Sequence, residues 1–312
     1  MLSKWESMKP MFAGIELGGT KCICILARDP TEIIEQISVA TDRPETTLPI
    51  LEAILDRWHA EVGFSALGLG AFGPLDLDPL SEHFGTVLAT PKSGWVNTPL
   101  FARFSNRYGV PVGIQTDVAG AALAEGRWGA ARGFANHIYV TVGTGIGVGI
   151  VVDRQLVPGP LPIEAGHMRV GRVKGDEWPG ACRFHGDCVE GLAAGSAIEA
   201  RLGVRAATLE PDNHIWNLVA HAVGAMLGNL ILSVSPQKIV LGGGVINRQP
   251  QLIALIRRAL VESLGGYVAL PDVDGYVVLP ALGALAGPLG AIAIAHESFV
   301  VPTSAGSQRA MN

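Results

Sequence analysis

Ile15-Glu16-Leu17-Gly18-Gly19-Thr20-Lys21 runs an apolar, strand-like segment into paired glycines, a hydroxyl and a cation. Glycines bare the backbone N–H groups, so a strand ending in them can offer donors to phosphate oxygens, with Thr20 and Lys21 alongside and Glu16 within reach of Mg²⁺ through water. A plain hairpin turn needs the same residues, and this stretch alone does not choose between the two. Repetition favours the first reading: Val142-Gly143-Thr144-Gly145-Ile146-Gly147 has the same form, and two facing turns can clamp one polyphosphate. A third run, Leu241-Gly242-Gly243-Gly244-Val245, follows a strand and precedes a helix, where close approach to a nucleoside or to the helix N-terminus is available. No stretch matches the Walker A pattern, and no strand leads through GxGxxG into a helix.

Around the first turn, residues 12–17, 22–27 and 33–40 read as a three-strand meander, followed by an amphipathic helix over 48–60. A strand over 66–71, a helix around 99–108, a strand over 112–115 and an alanine-rich helix over 118–131 complete one cycle. A second cycle opens with strands 137–142 and 148–152, continues with helices 192–202, 214–232 and 252–264, and adds strands 238–241 and 276–279. Each half thus begins strand, glycine turn, strand, the layout of two related α/β lobes closing on a nucleotide. The smaller lobe is expected over 11–117 plus 283–300 and the larger over 118–282. Residues 1–10 and those from Val301 onward lack a pattern and read as tails.

Composition agrees with two soluble lobes. The 312 residues carry 23 Lys+Arg against 28 Asp+Glu, a net charge of −5, and are 48% hydrophobic and 16% charged, which disfavours both disorder and a polybasic nucleic-acid surface. Four cysteines and no secretory signal pattern near Met1 argue for a reducing, cytoplasmic setting rather than a disulfide framework. The uncharged stretch 277–295 is interrupted by Pro280, Pro288 and glycines, and reads as a buried helix after a strand rather than a membrane span. Its Ala284, Ala286, Gly287 and Gly290 permit close packing on a neighbour.

The sharpest chemical signal is His167, Cys182, His185 and Cys188, spaced H-x14-C-x2-H-x2-C, two thiolates and two imidazoles suited to closed tetrahedral Zn²⁺. A Cys182–Cys188 disulfide and unligated loop residues are the plainer alternatives. A nucleic-acid zinc finger is disfavoured because no Arg/Lys-rich helix follows. Folding around a metal would draw Glu164 and Glu190 together, and carboxylates in a cleft bind sugar hydroxyls. Cys22 and Cys24 alternate on one strand face and read as packing. Asp117 stands between a strand and a helix, a usual place for a functional side chain in an open α/β sheet and equally the place for an N-cap.

In this order the motifs IELGGTK (15–21), GAFGPLD (70–76), TPKSGW (90–95), QTDVAGAALAE (115–125), VTVGTGIG (140–147), EAGHM (164–168), GACRFHGDCVEGLAAG (180–195) and LGGGV (241–245) resemble the ROK family (repressors, open reading frames, sugar kinases), and particularly its fructokinases. The resemblance runs from Phe12 to Ala295. It implies an α/β, two-lobed actin-like ATPase (ribonuclease H-like) fold with an interlobe cleft. It also implies ATP-dependent phosphorylation of a hexose, with Asp117 as catalytic base and Glu164, His167 and Glu190 on the sugar. Structural zinc would sit at His167, Cys182, His185 and Cys188, while Gly18, Gly19, Thr20, Lys21, Gly143, Thr144 and Gly145 would hold the phosphates of ATP with Mg²⁺, and Gly243 and Gly244 would lie near the adenosine. One imidazole nitrogen of His167 can meet zinc while the other donates to a hydroxyl. The resemblance further implies a homodimer, with neither nucleic acid nor membrane as partner.

Two departures bear on rate and sugar choice. Relatives commonly have Asn two positions after the base, where this chain has Ala119, and many have Asp where this chain has Glu16. Fructose leads as substrate, with glucose and mannose behind. The rival class is a sugar-binding regulator; a DNA-binding one is disfavoured because about ten patternless residues before the first strand are too few for a helix-turn-helix.

Overall fold

The computed structural model describes residues 10–270 and 272–300, so the expected tails lie outside the described residues except for Pro10. The chain divides into two compact units. The first comprises described residues 10–128, 158–162 and 284–300, the second residues 129–157 and 163–283.

The first unit opens with the meander β1 (Phe12–Leu17), β2 (Lys21–Ala27) and β3 (Ile33–Ala40). Helix α1 (Pro44–Glu61), β4 (Ala66–Ala71), α2 (Leu100–Ser105), β5 (Val112–Thr116) and α3 (Asp117–Trp128) follow. The sheet order is β3-β2-β1-β4-β5, with β1 antiparallel to β2 and parallel to β4. The second unit contains β6 (His137–Val142), β7 (Ile146–Val152), β8 (Gln155–Leu156), α4 (Val189–Ala193), α5 (Gly195–Leu202), α6 (Ile215–Val234), β9 (Lys238–Gly242), α7 (Gly244–Arg248), α8 (Leu252–Leu264), α9 (Val273–Tyr276) and β10 (Val277–Val278). Its sheet reads β10-β9-β6-β7-β8, again with an antiparallel opening hairpin and parallel strands beyond it. The two sheets have the same connectivity, so the doubling legible in the glycine turns extends to whole units.

Helix α10 (Ala286–Val300) returns to the first unit. It lies on glycines: a Cβ on Gly14 would come 2.8 Å from Ala291 Cβ, on Gly68 1.9 Å from Ala291 O and on Gly113 2.8 Å from Ile294 Cγ2. It crosses α3 equally closely, where a Cβ on Gly290 would meet the backbone of Gly120 at 2.5 Å. With this packing the division into units falls after Trp128, eleven residues beyond the expected boundary at Asp117. Because α3 is clamped to α10, the first unit extends to Trp128, and the hydrogen bond from Leu77 N to Pro160 O (3.1 Å) adds residues 158–162 to it. Helix α6 and the helical stretch Gly283–Val300, which ends in α10, are apolar and long enough to cross a bilayer by composition, yet most of each is buried inside the protein.

One expected helix, 192–202, is broken. Ala194 is extended (ψ 157°), separating α4 from α5, because the amide of Gly195 donates to Gly143 O at 2.7 Å instead of continuing the helical ladder.

Candidate active site

Both glycine turns join the first two strands of their sheets and are held the same way. In the first, Gly18 N donates to Lys21 O (3.1 Å), Thr41 donates through its amide to Thr20 O (3.0 Å) and through its hydroxyl to Gly18 O (2.8 Å), and the Lys92 ammonium donates to Gly19 O. In the second, Gly143 N donates to Gly145 O (2.9 Å), Gly195 N to Gly143 O and the Ser196 hydroxyl to Thr144 O (2.7 Å). The carbonyls are thus occupied, while the amides of Gly19, Thr20, Thr144 and Gly145 have no acceptor among the described residues. Unpaired N–H groups in a glycine turn are what an anion requires. At Gly18 glycine is needed for space rather than for positive φ, since a Cβ would lie 2.7 Å from Lys21 O, while at Gly145 a Cβ would come 2.6 Å from the movable Glu190 Oε2.

Gly243 differs, with φ at 100° and Val142 N and O only 2.5 Å from any added Cβ, so this position takes glycine alone. The neighbouring Gly244 brings its amide to 3.8 Å from the Cβ position of Gly143. The third glycine run therefore abuts the second turn.

In the first unit Asp117 begins α3 directly after β5. The neighbour supplies the cap: Thr116 Oγ1 accepts from Ala119 N (3.2 Å), the three-residue reach of an N-cap, whereas the Asp117 carboxylate accepts from the adjacent Val118 N (2.8 Å) and from its own amide. Burial raises the Asp117 pKa above the usual carboxylate range, opposed by the Val118 amide. Glu16 is pushed up to about 7, by burial first, then by the charge of Asp117, with Lys21 pulling it down. Its carboxylate packs on the bare backbone of Gly287, where a Cβ would clash with Oε1 at 2.1 Å. Lys92 also belongs to the first turn. It sits inside TPKSGW without an assigned role, and its contact with Gly19 spans 73 positions of sequence.

In the second unit the four proposed ligands converge. Their donor atoms all lie within 4.8 Å of one another, with His167 Nδ1 at 3.6 Å from Cys182 Sγ, 3.5 Å from Cys188 Sγ and 3.3 Å from His185 Nδ1. Metal–ligand bonds of about 2.0 Å to nitrogen and 2.3 Å to sulfur at tetrahedral angles require edges of about 3.3–3.7 Å. The cluster therefore fits one metal ion. Cys182 and Cys188 are free thiols, so the disulfide alternative falls, and Cys22 and Cys24 are buried packing residues. Glu164 opens the 3₁₀ turn Ala165–His167, which presses on β7 so closely that a Cβ on Gly166 would overlap Ile146 O. The second nitrogen of His167, Nε2, is 3.8 Å from Glu190 Oε1, while Glu190 Oε2 accepts from Ile146 N at 3.0 Å.

The ligand loop is pinned by charge. Asp187 pairs with Arg169 (2.8 Å) and Arg172 (3.3 Å), and Asp176 with Arg201 (2.8 Å) and Arg172 (3.1 Å). Hydrogen bonds from Arg201, then from Arg172, hold the Asp176 carboxyl down at about 2. A depressed folded pKa adds stability that is complete above the unfolded carboxylate pKa of about 4 and lost as pH falls toward 2. Asp176→Asn should therefore cost about 1–3 kcal/mol near neutrality, with the gap to wild type narrowing below about pH 4 in urea titrations. A gap that stays constant with pH would show that charge plays no part.

Two α/β units of matching topology, each opening with a hairpin that leaves two amides free, define an actin-like ATPase fold. The chain matches the ROK family over residues 12–298, and it belongs to that family. It is 37% identical to a fructokinase of Zymomonas mobilis subsp. mobilis over 294 residues, covering 92% of this chain and 97% of the relative. Among solved structures, a ROK hexokinase from Thermus thermophilus superposes with a TM-score of 0.75 at 29% identity, covering 92% of this chain and 98% of that one. A ROK family glucokinase from Streptomyces griseus, solved with glucose and AMPPNP, gives 0.71 at 25% identity, covering 92% and 99%.

Proposed function

We propose that the protein is an ATP-dependent hexose kinase with fructose as its leading substrate. The observation that carries this reading is the pair of hairpin turns whose carbonyls are tied back while their central amides stay unpaired. The fructokinase of Zymomonas and the nucleotide and sugar held by the Streptomyces enzyme support it. In this reading the residues of the two turns, 18–21 and 143–145, hold the ATP phosphates, Gly243 and Gly244 lie toward the adenosine, and Glu164, His167 and Glu190 take the sugar.

Asp117 accepts the proton of the hexose 6-hydroxyl as that oxygen forms a bond to the γ-phosphorus and the bond from phosphorus to the β-γ bridging oxygen breaks, releasing ADP. Freedom from capping and a raised pKa suit it to that transfer. Lys21 and Lys92 supply positive charge beside the first turn. Mg²⁺, when bound, neutralises charge on the phosphate oxygens; the mutual repulsion of Glu16 and Asp117 makes their neighbourhood receptive to a cation. The Cys/His cluster suits Zn²⁺ in a structural role, since four protein ligands leave no open position. The enzyme is read as a cytoplasmic homodimer, its first lobe carrying Asp117 and its second the zinc loop.

A panel of fructose, glucose and mannose with ATP and Mg²⁺, followed by ADP release, tests the assignment. Turnover highest on fructose is expected. Binding of a hexose without ADP release would instead favour a sugar-binding regulator, the reading that Ala119 keeps open.

A further inference from the structure

The second glycine turn is gripped from three points by one short segment of chain. Glu190 Oε2 accepts from Ile146 N at 3.0 Å, Gly195 N donates to Gly143 O at 2.7 Å, and the exposed Ser196 hydroxyl donates to Thr144 O at 2.7 Å. That segment starts at Cys188, a member of the Cys/His cluster, whose sulfur also accepts the Gly191 amide at 3.4 Å and so begins α4. From the other side, the turn that carries His167 presses on Ile146, and Val189 N donates to Met168 O at 2.9 Å. Every grip on the turn is therefore no more than eight residues from a cluster ligand, and the helix break at Ala194 exists to deliver two of them.

We infer that the metal cluster positions the nucleotide-phosphate turn, with Ser196 and Glu190 as positioning residues that carry ligand geometry at Cys188 and His167 to the amides of Thr144 and Gly145. The inference rests on the reading of residues 143–145 as a phosphate site. It assigns the metal a part in nucleotide affinity beyond holding its own loop, and it gives Ser196 a role that its exposure would not disclose.

Two sites joined this way bias each other by the same factor in either direction. The test uses the zinc-loaded protein. ADP affinity is measured by calorimetry for wild type and Ser196→Ala, and transfer of zinc to a chromophoric chelator is followed with and without saturating ADP. In wild type, ADP should slow zinc release by about tenfold, the slowing expected when an equilibrium coupling in the usual range falls on the dissociation step. Ser196→Ala, with zinc content unchanged, should bind ADP about 3–10-fold more weakly, the effect of one lost hydrogen bond, and should show less slowing. Tight ADP binding with zinc release indifferent to ADP, or a Ser196→Ala variant matching wild type in both measurements, overturns the inference and leaves the kinase reading intact. Absence of ADP binding to loaded wild type overturns the kinase reading itself. Because release is measured from folded, loaded protein, the outcome stands even if the stripped protein unfolds.

Discussion

Asp117→Asn is expected to lower kcat by about 10²–10⁴-fold, the range that general-base assistance supplies, while the hexose KM stays within about threefold. The substitution keeps size and hydrogen-bonding shape. It also leaves the start of α3 intact, because Thr116 and not Asp117 accepts the Ala119 amide. Loss of turnover accompanied by an unchanged melting temperature therefore assigns the effect to proton transfer rather than to a frayed helix. The companion change Thr116→Ala should do the opposite, costing about 1 kcal/mol of stability as caps do. An Asp117→Asn enzyme with wild-type turnover on every hexose would remove the proposed base.

Chelation of the proposed zinc is expected to have the largest effect on stability. A ligand present at about a thousand times its dissociation constant adds about 4 kcal/mol. For a unit of this size that corresponds to a fall in Tm of about 8–16 °C when it is removed. The four side chains leave little to replace it: burial pushes the Cys188 thiol up, and its sulfur lies 3.5 Å from His167 Nδ1 with, after chelation, no ion between them to hold the loop. Calorimetric scans before and after treatment with a strong chelator, and after zinc is restored, check this. A Tm that does not move, in protein shown by elemental analysis to have contained zinc, would mean that the loop holds itself together through its arginine–aspartate pairs alone.

Local signals were legible in the sequence and long-range ones were not. The strands of the first meander emerge at the expected residues because β-branched and apolar alternation is a property of adjacent positions. The gathering of His167, Cys182, His185 and Cys188 was legible because these residue types at that spacing have few other uses. The helix break at Ala194 was not, since its cause is a carbonyl 52 positions earlier that claims the Gly195 amide. Lys92 carries no local signal, as nothing in neighbouring residues shows that its ammonium reaches Gly19. Asp117 looked equally like a cap because composition cannot tell which of two consecutive side chains, Thr116 or Asp117, turns back to Ala119.

The glycine floor beneath α10 has a consequence for synthesis. Strands β1, β4 and β5 leave the ribosome long before the helix that covers them, because every element of the second unit is translated in between. At about 5–20 residues per second that interval is roughly 10–30 s, during which a nascent sheet with a shallow, side-chain-poor face waits for its lid. The order of assembly is thereby inverted: the sheet translated first is the one whose cover is finished last.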